Sequence, residues 1–304
     1  MKNFLIKLFL VNLIGIFSLS PVCLAAVNLP WETTFNCPES NQTDWFNANP
    51  YSVNCDGLGV YGGWCAGPDE PPCTPPKMGE QITQEANYSG GGGGRGQRHW
   101  KGDDVNDCSG GLSLTLSQQT PELWMRWYMR YPEGLKWSNL ISEKWFHFDL
   151  STQNHIWEFH YYRVGIFASY AGGNDYESSV DKGWQYIMNG STGDGRWHCY
   201  EGHIKMDTNS SDGIAQFWVD GELLVNNKTA DLGTKGGWQQ ILMGSNNNKL
   251  DNGKFVPIDF DDFKIVDSSY TGWQYDAQGN EMIGPITSFS DITPPAAPSG
   301  VSVS

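Results

Sequence analysis

Beyond residue 26 the chain has no apolar run of the roughly 20 residues that a membrane-crossing helix needs. Basic residues are also scarce, 19 Lys and Arg against 34 Asp and Glu, for a formal charge of −15. The first lack excludes a helical membrane span in the exported chain. The second argues against nucleic acid as a partner and leaves an anionic polymer a ligand only where basic groups gather in one groove. No segment carries a 3.6-residue apolar period. The glycine run Gly90 to Gly94 is not closed by Gly-Lys-Ser/Thr, so no phosphate loop is present. Short Cys-x-x-Cys knuckles are missing as well, which removes the common zinc frameworks. Hydrolysis of a neutral glycan needs two carboxylates roughly 5 to 9.5 Å apart, and no compact Glu-x-Asp-x-Glu strand supplies them.

What is present begins with "MKNFLIKLFLVNLIGIFSLSPVCLAAV". Lys2 and Lys7 precede an apolar stretch and small Ala25 and Ala26 follow it, the pattern of a secretory signal over residues 1–25. An extracellular or periplasmic location is expected. Cys23 follows Val22, where a lipid-anchored chain needs a small residue. The remaining cysteines, Cys37, Cys55, Cys65, Cys73, Cys108 and Cys199, are even in number, which in an exported chain points to disulfides. Four of them crowd into a Pro-, Asn- and Gly-rich N-terminal segment, 26–77, which reads as a disulfide-tied loop region.

From Leu112 onward the sequence alternates with period two in short runs separated by Gly, Asn, Asp and Ser. The runs include "ELWMRWYMRYP", "EKWFHFDL", "RWHCYEGHIKMD", "WQQILMGS" and "PIDFDDFKIV". "HIWEFHYYRVGIF", His155 to Phe167, reads as one strand that mixes aromatic and ionisable residues on both faces. "WVDGELLV" carries Asp220-Gly221 between apolar runs, a strong hairpin signal. The expectation is an all-β sandwich over 78–270 and a tail over 271–304. The tail ends in "DITPPAAPSGVSVS", which resembles the opening of a fibronectin type III module.

The chain holds 14 Trp, 13 Tyr and 14 Phe, and rings in excess of a core's needs suit stacking on sugars. On "ELWMRWYMRYP" one face is apolar and the other carries Trp124, Arg126, Tyr128 and Arg130, rings interleaved with guanidinium groups that take hydroxyl or carboxylate oxygens in pairs. Glu201 and His203 on the "WHCYEGHIK" run and Trp218 on the "GIAQFWV" run extend that face, giving an expected groove. Cleavage of a uronate polymer by β-elimination needs a cation for the carboxylate, a base and an acid. Lys144, His160 and Tyr162 are of those types. In "DFDDF", Asp259 and Asp261 fall on one face as candidate ligands of a structural calcium ion.

The order and wording of these strands, from about Leu112 to Val266, resemble the concanavalin A-like jelly-roll proteins, in particular the polysaccharide lyases that include the family-fourteen alginate and glucuronan lyases. The most specific piece is "GRWHCYEGHIKMDT…DGIAQFWVDGELL". The resemblance implies a concanavalin A-like jelly roll and a lysine at the start of a central strand, which Lys144 in "SEKWF" matches. It also implies a Ser-x-Arg on the following strand, and here those positions hold Ile156 and Glu158. Glu158 carries the wrong charge for a uronate carboxylate.

The reading is an exported, monomeric polysaccharide-acting protein, a lyase with Lys144, His160 and Tyr162 as its chemical groups. Trp124, Arg126, Tyr128, Arg130, Glu158, Glu201, His203 and Trp218 are its expected glycan contacts. A non-catalytic carbohydrate-binding module, a surface or matrix protein and a glycoside hydrolase are the alternatives.

Overall fold

The computed structural model describes residues 26–36, 56–64, 79–88, 94–101, 109–135, 142–150, 153–162, 165–171, 193–230, 232, 236–243 and 256–286. The signal segment 1–25 and the last residues, 287–304, lie outside them. So do Cys37, Cys55, Cys65, Cys73 and Cys108.

The alternating runs form strands. In chain order they are β1 (Trp31–Thr33), β2 (Gly59–Trp64), β3 (Gly79–Thr83), β4 (Gly96–Lys101), β5 (Ser109–Thr120), β6 (Glu122–Arg130), β7 (Ser142–Leu150) and β8 (Gln153–Tyr162). Then follow β9 (Gly165–Ala171), β10 (Trp197–Lys205), β11 (Gly213–Val219), β12 (Glu222–Ala230), β13 (Trp238–Met243), β14 (Val256–Val266), β15 (Gln274–Tyr275) and β16 (Glu281–Met282). A 3-10 turn over Gln84–Ala86, capped by the Thr83 hydroxyl, is the one helical piece among the described residues. Apart from that turn the described elements are all strands, as the lack of a helical period implied.

Two antiparallel sheets form. One runs β12-β11-β10-β6-β14-β4-β3, with β1 also on β14; the other runs β2-β5-β13-β7-β8-β9; β15 and β16 make a separate hairpin. The apolar half of each alternating strand meets its counterpart between the sheets. Leu112, Leu114, Phe146, Phe148, Ile241 and Met243 from the six-stranded sheet share one core cluster with Met125, Trp127, Tyr200, Phe217 and Phe260 from the eight-stranded one. Trp127 is at its centre, edge-on to Phe146 across the sheets at 4.5 Å between ring centroids. This arrangement is consistent with the expected jelly-roll sandwich.

Three local expectations change. The segment 26–77 is more than loops, since β1 adds to one sheet and β2 to the other. The stretch read as one strand from His155 to Phe167 is two, β8 and β9, paired with Tyr162 opposite Gly165. In the sequence the alternation runs on from one strand into the next, so the period alone hides the break. The folded domain does not stop at residue 270 either: the chain to Ile286 packs back on the eight-stranded sheet.

The Asp220-Gly221 hairpin forms as read. Both residues have positive φ, 51° and 82°, as a two-residue type I′ turn requires. A β-carbon on Gly221 would meet nothing nearer than 3.7 Å, so substitution acts only through the backbone. Gly221→Ala is expected to lower stability by about 1–2 kcal/mol, read as a lower urea midpoint with an unchanged slope.

Candidate functional site

The outer side of the eight-stranded sheet holds most of the expected glycan contacts in the expected register. His203 lies opposite Trp124 and Gln216, Glu201 opposite Arg126 and Trp218, and Cys199 opposite Tyr128. The face is not an open groove, because residues 270–286 lie over it as a strap. Trp124 and Trp218 are 3% and 0% exposed. The indole of Trp124 stacks on His203 at 3.8 Å, packs against Trp273 and donates to the Glu281 carbonyl at 3.2 Å. The Trp218 Nε1–H donates to Asp276 Oδ2 at 2.9 Å. His203 is fixed from both ends, its Nδ1 2.7 Å from Gln216 Oε1 and its Nε2 3.0 Å from Glu122 Oε1. A sugar would have to displace the strap to reach these rings.

Glu201 anchors the strap. Its two carboxylate oxygens accept the Ile283 and Gly284 backbone N–H groups at 2.6 and 2.8 Å. Burial pushes its pKa up to about 7, while the Gly284 and Ile283 N–H groups and Arg126 pull the other way. Arg126 Nη1 donates to the Gly284 carbonyl at 3.3 Å, and Tyr128 Oη accepts the Ile286 N–H at 2.9 Å. Sequence alternation separates core from outer side correctly here, but it carries no sign that a second layer covers the outer side.

Beyond the strap, Tyr128 stacks on Tyr88 at 3.9 Å. Cys199, the one cysteine among the described residues, is a buried free thiol. Burial first and Glu201 second push its pKa up. Its expected place in a disulfide is therefore corrected, since it faces Tyr128 and Glu201 inside the sheet ladder. Arg130 is covered too. Its guanidinium lies over the Trp197 ring and joins Arg98 on Asp259.

Both expected calcium ligands are engaged by donors of the protein itself. Asp259 Oδ1 accepts from Arg98 Nε at 2.7 Å, and Oδ2 accepts from Arg130 Nη2 at 2.5 Å and Nε at 3.1 Å. Asp261 accepts the Tyr88 and Asp262 backbone N–H groups at 2.6 and 2.8 Å. Guanidinium groups hold Asp259 and backbone donors hold Asp261. Among the described residues no group of three or more His, Cys, Asp or Glu side chains is arranged to hold a metal ion.

The remaining candidates lie in the six-stranded sheet. In the β7–β8 ladder Ser142 is opposite Tyr162, Lys144 opposite His160 and His147 opposite Glu158, with a register shift between Lys144 and Phe146. That shift matters, because strict alternation assigns position 144 to the same side as the buried core residues Phe146 and Phe148. Phe146 pairs with Phe159, and positions 158, 160 and 162 alternate with 159. The extra residue therefore moves position 144 to the side of 147, the usual consequence of a β-bulge. Unbroken alternation likewise sets position 147 apart from Lys144, and the bulge brings the two to one side.

A further titratable cluster joins two turns. His198 Nδ1 is 2.6 Å from Asp220 Oδ2 in the hairpin turn, and Nε2 is 3.1 Å from Asp194 Oδ2. Burial alone would lower the imidazole pKa, but Asp220 and then Asp194 outweigh it, and the net shift is upward. A folded pKa above the unfolded value means that the stabilisation is fully present below about pH 6.5 and is lost as pH rises through the folded pKa. The stability difference between wild type and His198→Gln should therefore shrink between about pH 5.5 and about pH 8.5. Urea unfolding at the two values checks it.

No family model matches this chain, and no curated protein does. Among solved structures it is similar to a cellulose-induced protein, at 12% identity over 78% of this chain and 97% of that one, with a TM-score of 0.45. An alginate lyase solved in complex with an alginate trisaccharide aligns at 13% identity over 78% and 98%, TM-score 0.45. An endo-β-1,4-glucuronan lyase from the fungus Trichoderma reesei aligns at 10% over 62% and 87%, TM-score 0.46. Among the described residues no helix is long and apolar enough to cross a membrane.

Proposed function

We propose that this chain is an exported, concanavalin A-like polysaccharide lyase that cleaves a uronate-containing glycan by β-elimination. The observation that carries the reading is the β7–β8 register, in which Lys144 stands opposite His160 and Tyr162 follows two positions on. A cation, an imidazole and a phenol within one ladder are the groups that the reaction requires.

Lys144 offsets the charge of the uronate carboxylate, which makes the adjacent C5 proton acidic enough to remove. His160 takes that proton. The electron pair left at C5 forms the C4–C5 double bond as the C4–O4 bond breaks, and Tyr162 gives a proton to the departing oxygen. The reaction needs no added oxidant or reductant. The strap over Trp124 and Trp218 supports the same reading in a negative way, since a binding module relying on those rings would find them covered.

The test is incubation of the mature protein with uronate and neutral polysaccharides, with and without calcium, and mass spectrometry of the soluble products. Fragments carrying a new ring double bond, smaller by one water than hydrolysis products, are expected from a uronate polymer. Saturated fragments would replace the lyase by a hydrolase. Retention on a glycan without any product would leave a binding module.

A further inference from the structure

One register row crosses the six-stranded sheet beside Lys144 and His160. It contains Ser113 on β5, Leu242 on β13, His147 on β7, Glu158 on β8 and Ser169 on β9. Leu242 is buried yet stands apart from the core cluster, which takes Ile241 and Met243 on either side of it. The row therefore belongs to the sheet's outer side. Its titratable positions are His147 and Glu158. The neighbouring rows add Lys144 and His160 in one direction, and Asp149 opposite Gln240 in the other.

Glu158 is the residue at odds with a uronate substrate. A fixed carboxylate two positions from His160 would repel each incoming carboxylate. The register supplies a remedy. The position opposite Glu158 is a histidine, the side chain whose charge changes near neutral pH.

We propose that His147 is the charge partner of Glu158, and that this pair borders the glycan site and sets its preference for uronate chains. The proposal rests on the lyase reading above. With His147 protonated the pair is neutral, and the anionic chain meets Lys144 without a competing repulsion. Loss of that proton returns a net negative charge to the row and weakens substrate binding. His147 is thus a specificity residue, with no part in the proton transfers.

The effect should fall on KM. His147→Ala is expected to raise KM for a polyuronate roughly tenfold with kcat within about twofold. Adding Glu158→Gln should bring KM back, and the wild-type KM should climb with pH while that of the double variant stays flat. An unchanged KM in His147→Ala, or no rescue by Glu158→Gln, would overturn the pairing. A second measurement needs no turnover: the His147 imidazole followed by NMR should titrate at lower pH in Glu158→Gln than in wild type. Identical titrations would refute the pair. Because this readout survives in a protein without lyase activity, failure of the pair and failure of the lyase reading are distinguishable.

Discussion

Replacing Lys144 with alanine should lower kcat/KM on a uronate polymer by on the order of 10²–10³-fold, the usual cost of deleting one preorganised group that stabilises developing charge. Removing the C5 proton drives negative charge onto the uronate carboxylate, so the ammonium group acts more strongly on the transition state than on the bound substrate. The loss should therefore appear mainly in kcat. Lys144→Arg keeps the charge but replaces a compact ammonium with a planar fork, and should retain only part of the activity. Steady-state kinetics on the polymer found active in the product screen would decide it. Retention of more than half of kcat/KM by Lys144→Ala would remove this residue from the reaction.

Asp259→Ala should produce the largest loss of stability. Asp259, Arg98 and Arg130 are 4%, 5% and 7% exposed, and the carboxylate is the shared partner of both guanidinium groups. Glu85 also reaches Arg98, but from an exposed position. Truncation at Asp259 leaves two desolvated guanidinium groups beside each other with Glu85, through its carboxylate and its carbonyl, as a shared acceptor, and breaking a buried pair in this way costs about 3–5 kcal/mol. For a domain of this size that is a fall in Tm of roughly 10 °C or more. Calorimetry checks it, and Asp259→Ala combined with Arg130→Met should cost less than the two single losses added together, because the partners act as a unit. A loss below about 1 kcal/mol would mean that solvent already screens the cluster.

How far the sequence could be read follows from what alternation records. It separates Leu123, Met125, Trp127 and Met129 from Trp124, Arg126, Tyr128 and Arg130, because only the first set enters the core. It cannot tell whether the second set faces water or another layer. The strap escapes notice because β15 and β16 are two residues each, too short for any period. Its grip comes from backbone N–H groups at Ile283 and Gly284, which no side-chain pattern reports. Lys144 and His147 illustrate the opposite failure. A single extra residue in β7 reverses the side on which position 144 falls, and nothing in "SEKWFHFDL" marks it. In "DFDDF" acidity alone does not distinguish a ligand for calcium from a partner for arginine, and Arg98, which binds Asp259, lies 161 residues from it in the chain.

The strap also fixes a direction. It travels along β6 from Trp124 to Tyr128, and the described chain departs beside Tyr88, on the sheet that does not contain Lys144 and His160. A label or tether attached at Ile286 itself would sit on the outer side of the eight-stranded sheet, across the sandwich from the β7–β8 ladder.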